Sequence, residues 1–221
     1  MDPYYTVNTV FVVFAMLIML AAVSFNTTLD RERKNITRVL FLVISTAALC
    51  EWLGNALDGT PAKYIWLHKL VKYIELCSAP YLGLLCGKSL SSHILWEKHI
   101  SRLLALHVAL ETVTLFTGQI WYVDAQNIYH HGPLYAVYIA FYCFGVVYYL
   151  VQGLQTFWHY QQSGGVMVLL VTVFLVSGIA VFLYDSDVEI VWLVVGISAI
   201  MLYKFYGDIL QQVDGLTELG N

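Results

Sequence analysis

Three stretches of otherwise apolar sequence each carry polar or charged side chains three or four residues apart. In a helix, this spacing places the side chains of each stretch on one face. In chain order the three stripes are Glu51, Asn55 and Asp58; His68, Lys72 and Glu75; and His107, Glu111 and Thr114. Ionisable groups are costly in a membrane interior and therefore mark candidate functional sites. We expect the three stripes to converge on one outward-opening cavity, where a carboxylate must pair with Lys72, accept hydrogen bonds or take up a proton.

The predicted ligand-binding residues combine these stripes with tyrosines of a later apolar run. Tyr135, Tyr138 and Tyr142 recur with helical spacing and form either a packing surface or the aromatic wall of the same pocket. The predicted set is Glu51, Asn55, His68, Lys72, Glu75, His107, Glu111, Tyr138 and Tyr142. Residues 118–133, rich in Trp, Tyr and His, form either a lid over the cavity or an interfacial aromatic belt. The alternative interpretation of the stripes is an internal salt-bridge network that only fixes helix register.

The composition indicates which elements must position these residues. The chain has 221 residues, of which 59% are hydrophobic and 12% charged. A soluble domain has about a quarter of its residues charged. This deficit excludes an ordinary soluble enzyme, a disordered tail and a nucleic-acid binder. We therefore expect an integral membrane protein, and the length allows about seven crossings of about 20 residues each.

Seven apolar runs separated by polar or turn-forming segments predict an all-α fold, a seven-helix membrane bundle. The runs cover residues 7–25, 39–57, 64–90, 103–116, 134–155, 166–184 and 190–206. Most of the 11 basic residues lie at run ends on one side, which is expected to be cytoplasmic. This distribution places the N-terminus outside and the C-terminus in the cytoplasm. The four cysteines lie within the runs, so no disulfide framework is expected.

The end of the chain carries a short signature. Residues 214–221 read DGLTELGN. This segment resembles the D-x-L-T-G-L-x-N-R pattern that opens GGDEF domains, the diguanylate cyclases, with Glu218 where that pattern has Gly. The chain ends before the arginine of the pattern. The resemblance implies that residues 208–221 are a cytoplasmic linker leading into an output domain.

The apolar part is similar to the N-terminal seven-transmembrane sensor regions that precede bacterial histidine kinases and diguanylate cyclases. The segments that carry this resemblance read CEWLGN at 50–55 and KYIELCSAP at 72–80. It implies that residues 1–207 are the sensor domain of a receptor in the bacterial plasma (inner) membrane, with an output in cyclic di-GMP signalling. The sequence has no GG[DE]EF signature, nucleotide-binding loop or metal-binding carboxylate cluster, so we expect no catalysis, cofactor or metal in this chain.

These observations together predict a signalling mechanism. A small amphipathic or amine-bearing ligand enters from outside, binds the polar stripes and shifts the bundle between two packings. The change passes through the last helix to Asp208, Ile209 and Val213 and alters the pairing of output domains in a homodimer. The expected partners are therefore the ligand, the lipid bilayer and a second copy of the chain.

Three other functions remain as alternatives. An intramembrane metal-dependent hydrolase would use His68 and His107, with Glu51 or Glu111 as a third ligand. A small-molecule transporter would show internal repeats and interrupted helices. No internal repeat is found in the sequence. One helix could be interrupted at Pro80, because proline leaves the carbonyl four residues earlier without its helical donor. A retinal photoreceptor needs a lysine in the middle of its last helix, whereas Lys204 lies at the inner end.

Overall fold

A computed structural model describes residues 3–27, 29–90, 97–159, 163–184 and 190–212. Helix makes up 85% of the structure, in agreement with the predicted all-α class. The helices are α1 (Pro3–Phe25), α2 (Arg31–Leu57), α3 (Ile65–Leu90), α4 (Glu97–Thr117), α5 (Tyr135–His159), α6 (Ser163–Tyr184) and α7 (Val191–Gln212), and a 3-10 turn, Ala62–Tyr64, precedes α3.

Several helices extend beyond the predicted apolar runs, among them α2 and α7. Helix α2 begins at Arg31 rather than at residue 39, because the Asp30 side chain accepts a hydrogen bond from the Arg33 amide and caps a polar first turn. Helix α7 continues to Gln212, so Asp208 and Ile209 are helical. Val213 and the GGDEF-like segment 214–221 lie outside the described residues.

Four helical segments are long and apolar enough to cross a membrane. They are Pro3–Phe25, Arg31–Leu57, Lys98–Thr117 and Tyr135–Gln155. The described parts of α6 and α7 contain shorter apolar segments, Leu169–Gly178 and Val191–Phe205. Helix α3 is not among the four segments, and it carries Lys69, Lys72 and Glu75 near its beginning. Apolarity therefore supports membrane association for four segments, while the charges of α3 need protein neighbours.

Helix α3 has such neighbours on several sides. It packs against α2, α4, α5 and α7, and contacts the strand that follows α4. It approaches α5 closely, because a Cβ on Gly83 would overlap the Gly145 carbonyl and a Cβ on Gly145 would lie 2.8 Å from the Pro80 carbonyl oxygen. Glycine at both positions lets the two backbones touch.

The connection between α4 and α5 forms a β-hairpin that was not predicted. Strand β1 (Trp121–Val123) pairs antiparallel with β2 (Tyr129–His131), in the register Trp121↔His131. In the turn, the Asp124 carboxylate accepts hydrogen bonds from the backbone N–H of Gln126 and of Ile128, both at 2.9 Å. Asn127 has a φ of 62°, a left-handed conformation in which asparagine is enriched. Turn chemistry thus orders a segment that composition alone presents as a loop.

Candidate ligand-binding cavity

A cavity of about 370 Å³ lies beneath the hairpin, between α2, α3, α5 and α7. Three charged side chains reach it, namely Glu51 from α2 and Lys72 and Glu75 from α3. Most of the remaining lining is apolar or aromatic, and its aromatic members are Tyr129, His131, Tyr135, Tyr138, Tyr142 and Trp192. A mostly apolar cavity with a few clustered polar groups is the usual form of a small-molecule site, and its volume is within the usual range of about 300–1,000 Å³.

Lys72 is the central polar group of the cavity. Its ammonium nitrogen lies 3.0 Å from a Glu75 carboxylate oxygen and donates a hydrogen bond of 3.5 Å to the side-chain oxygen of Asn55. It also lies 5.0 Å from the centre of the Tyr129 ring, a cation–π distance. The side chain passes over Gly54, where a Cβ would come within 2.6 Å of the Lys72 Cε. The glycine therefore makes room for the lysine against α2.

The charged groups at the cavity make contacts both within one helix and between helices. The Lys72–Glu75 pair lies within one helix, at a spacing of three residues. The contacts between helices at these groups include the hydrogen bond to Asn55 and a 3.1 Å hydrogen bond from the Tyr5 hydroxyl to Glu51. Two carboxylates and one ammonium therefore line the cavity, so its charge complements a cation when all three are ionised.

One wall of the cavity is a ladder of aromatic rings. His131 stacks on Tyr135 with ring centres 3.7 Å apart and planes 6° apart. The ring centres of Tyr135 and Tyr138 are 5.4 Å apart, and those of Tyr138 and Tyr142 are 6.4 Å apart. The tyrosine stripe therefore lines the cavity, and Tyr138 and Tyr142 are part of its wall.

The two hairpin rings at the cavity are neutral at neutral pH. Burial, and then the neighbouring Tyr135, raise the pKa of the Tyr129 hydroxyl. Burial is also the main cause that lowers the pKa of His131, and electrostatic interaction with Lys72 lowers it further. A neutral phenol keeps the electron-rich ring face that attracts cations, and a neutral imidazole adds no positive charge to the cavity.

His68 lies outside the cavity lining and fastens the hairpin instead. Its side chain is 0% exposed, and its Nδ1 lies 3.2 Å from the side-chain oxygen of Asn127. The amide nitrogen of Asn127 donates to the Leu57 carbonyl at 2.9 Å and to the Thr60 hydroxyl at 2.8 Å. The Nε2 of His68 is 3.9 Å from Asp58. These contacts attach the hairpin tip to the turn between α2 and α3.

The polar stripe of α4 also points to the hairpin and to α3 rather than into the cavity. His107 Nε2 donates to the Leu76 carbonyl at 3.1 Å, which is the carbonyl that Pro80 leaves without a helical donor. Glu111 accepts a 2.6 Å hydrogen bond from the Trp121 indole. His107 and Glu111 are both 0% exposed. The stripes of α2 and α3 therefore meet at the cavity, whereas the α4 stripe does not join them. Its side chains contact the Leu76 carbonyl and the Trp121 indole instead.

Several cavity and hairpin residues were not among those predicted. Asn127, Tyr129, His131 and Trp192 were missed. A signal for the first three exists in the sequence, since WYV and YHH flank a turn-forming DAQN segment. Trp192 lies in an apolar run, where nothing in its spacing separates a cavity residue from a packing residue.

Possible metal ligands are not grouped in the parts of the chain that the structure describes. Within those ranges, no three His, Cys, Asp or Glu side chains lie close enough together to hold a metal ion.

Comparisons of the chain with protein-family models, with curated proteins and with solved structures find no match. The functional argument therefore depends on the cavity itself.

Proposed function

We propose that this chain is the ligand-binding sensor part of a bacterial membrane receptor, and that its ligand is a small amphipathic molecule with an amine. The observation that carries the proposal is the cavity beneath the hairpin, where Glu51 and Glu75 outnumber Lys72 beside a wall of aromatic rings. An ammonium group removed from water is stabilised by carboxylates and by aromatic ring faces. The apolar remainder of the cavity accommodates the rest of such a ligand.

The four apolar helical segments support the membrane location. We place the protein in the bacterial plasma membrane as a multi-pass bundle with the N-terminus outside and the C-terminus in the cytoplasm. In this orientation the hairpin and the cavity lie toward the outer side, and the basic residues near Arg31 and Lys204 lie on the cytoplasmic side.

Helix α7 is the proposed route of the signal. Trp192 and Val195 line the cavity, and the same helix continues without interruption to Gln212. A ligand that binds one of two bundle packings more tightly shifts their populations, and a displacement of α7 would reach its far end. There, residues 208–221 would connect to a diguanylate cyclase domain, and two copies of the receptor would respond as a homodimer. The chain itself supplies ligand recognition rather than catalysis.

Binding of phenethylamine to the purified protein in lipid nanodiscs, followed by isothermal titration calorimetry, tests the charge argument. The matched neutral molecule is 2-phenylethanol, which lacks only the ammonium. We expect Glu75→Gln and Glu51→Gln each to weaken phenethylamine binding at least about tenfold, the effect of losing one hydrogen bond to a charged group. Glu111→Gln, a buried change outside the cavity, serves as the control and should bind like the native protein.

Two results would contradict the proposal. Equal affinity of the native protein for the amine and the alcohol would show that the carboxylates do not select a cation. Full retention of amine binding by both Glu51→Gln and Glu75→Gln would place the amine elsewhere.

A further inference from the structure

The cavity has a side opening along α5. Ile139, Cys143 and Val147 line the cavity and recur four residues apart, so they form one edge of the helix. The same side chains are also exposed at the surface of the protein, Ile139 by 38% and Val147 by 55%. Side chains that border both the cavity and the surface mark a passage between the two.

The hairpin closes the outer end of the cavity. Tyr129 and His131 lie over the polar end, and the Tyr129 ring covers the Lys72 ammonium. Asn127 attaches the hairpin to the turn between α2 and α3, and Trp121 attaches it to α4. Both of these anchoring side chains are at most 1% exposed. A ligand entering past the hairpin would have to break buried hydrogen bonds on two sides.

The shape of the cavity is elongated. Its lining runs from Glu75 to Leu82 on α3, about 10 Å, and from Tyr135 to Val147 on α5, about 18 Å, at about 1.5 Å of rise per residue. The charged side chains lie near one end. At the other end a narrow apolar crevice continues inward to Cys86. A polar end and a long apolar remainder match a molecule with a head group and a chain.

We propose that the ligand is a chain-bearing amine from the membrane, which enters sideways past Ile139 and Val147. Its ammonium then lies near Glu51 and Glu75, and its hydrocarbon chain lies between α3, α5 and α7. This inference rests on the proposed amine-binding function and adds two statements to it, namely the class of ligand and its route. The side opening faces lipid in the proposed bundle, so an amine that has partitioned into the bilayer reaches it directly.

Fluorescence quenching in phosphatidylcholine vesicles tests the route with the full chain. The probe is dodecylamine carrying bromine on its chain, which quenches a nearby tryptophan. Trp192 lines the cavity, so the part of the fluorescence quenching that is lost in Trp192→Phe reports how much of the cavity is occupied by the probe. Val147→Phe narrows the side opening at an exposed position. Val151→Phe is the matched control, because Val151 is 42% exposed on the same helix one turn further from the opening.

We expect the amine probe to quench Trp192 and brominated dodecanol to quench it much less. Val147→Phe should slow the onset of quenching at least tenfold, whereas Val151→Phe should leave the rate unchanged. Asn127→Gly, which loosens the hairpin, should also leave the rate unchanged. Thermal unfolding of Val147→Phe and Val151→Phe should show that both variants remain folded.

Other outcomes overturn the inference. Normal quenching rates in Val147→Phe, or faster quenching in Asn127→Gly, would place the route past the hairpin. The amine-binding function would still stand in that case, because the probe would still occupy the cavity. If neither phenethylamine nor the brominated amine binds the native protein, the proposed function fails and the inference fails with it.

Discussion

Asn127 is the single residue whose loss should most directly release the hairpin. Its side chain contacts Leu57, Thr60 and His68 through three hydrogen bonds, at 2.9, 2.8 and 3.2 Å. A typical hydrogen bond contributes about 1 kcal/mol net, so removing all three should favour hairpin opening by about 3 kcal/mol. This free energy corresponds to a change of about a hundredfold in the opening equilibrium.

Two substitutions separate the side chain from the backbone conformation. Asn127→Gly removes the hydrogen bonds but accepts the left-handed φ of 62° without strain. Asn127→Ala removes them and adds a cost of about 1 kcal/mol for that conformation, so it should open the hairpin further. Gln126→Ala, at an exposed neighbouring position of the turn, is the control and should behave like the native protein.

Hydrogen exchange measures the effect at two amides. Asp124 N–H donates to the Ile128 carbonyl at 3.0 Å, and Gly132 N–H donates to the Ile120 carbonyl at 2.7 Å. In Asn127→Gly both amides should exchange about a hundredfold faster than in the native protein. If their exchange changes less than about threefold, the hairpin is held by other contacts and the closed end of the cavity has been explained wrongly.

The remaining predictions concern helix packing and pH. Gly83→Ala should destabilise the protein by about 1–3 kcal/mol, seen as a lower unfolding temperature, because the added methyl meets the α5 backbone at Gly145. Gly196→Ala is its control, since a Cβ there lies 3.4 Å from its nearest neighbours, and equal stability of the two variants would contradict the packing argument. The hydrogen bonds from the Ile128 amide and from His130 lower the pKa of Asp124. At a pH above the usual Asp pKa, these hydrogen bonds therefore stabilise the hairpin. The stabilisation is lost as the pH falls through the lowered pKa of Asp124. Hairpin protection against hydrogen exchange should therefore decrease below about pH 4, and protection in Asp124→Asn should no longer depend on pH in this range.

Hydropathy and spacing predict the helices and part of the cavity. Long apolar runs place the seven helices, because few alternatives can satisfy the backbone of such segments. The stripes on α2 and α3 bring Glu51, Lys72 and Glu75 together because helical spacing fixes which side chains share a face. These features are local in sequence, and so the sequence alone reveals them.

The partners of the α4 stripe depend on contacts between distant residues. His107 donates a hydrogen bond to the Leu76 carbonyl, which lies 31 positions earlier in the chain and is left without a helical donor by Pro80. Glu111 accepts a hydrogen bond from Trp121 of the hairpin. The sequence shows only the spacing of such a stripe, and this spacing is the same for a ligand-binding face and for a packing face. The choice between these roles requires the packing of α4 against α3 and the hairpin, which spacing does not specify.

The position of α3 at the centre of the bundle has a consequence for how the protein reaches its membrane. A charged side chain in a segment that partitions into lipid has a cost that reaches about 3 kcal/mol at the helix centre, and α3 carries Lys72 and Glu75 within its first half. Helix α2 precedes it directly and supplies Asn55 and the space over Gly54 to that lysine. On the proposed placement, these two helices and the short turn between them would insert together as a helical hairpin, so biogenesis of the bundle would depend on the same polar contacts that later form the cavity.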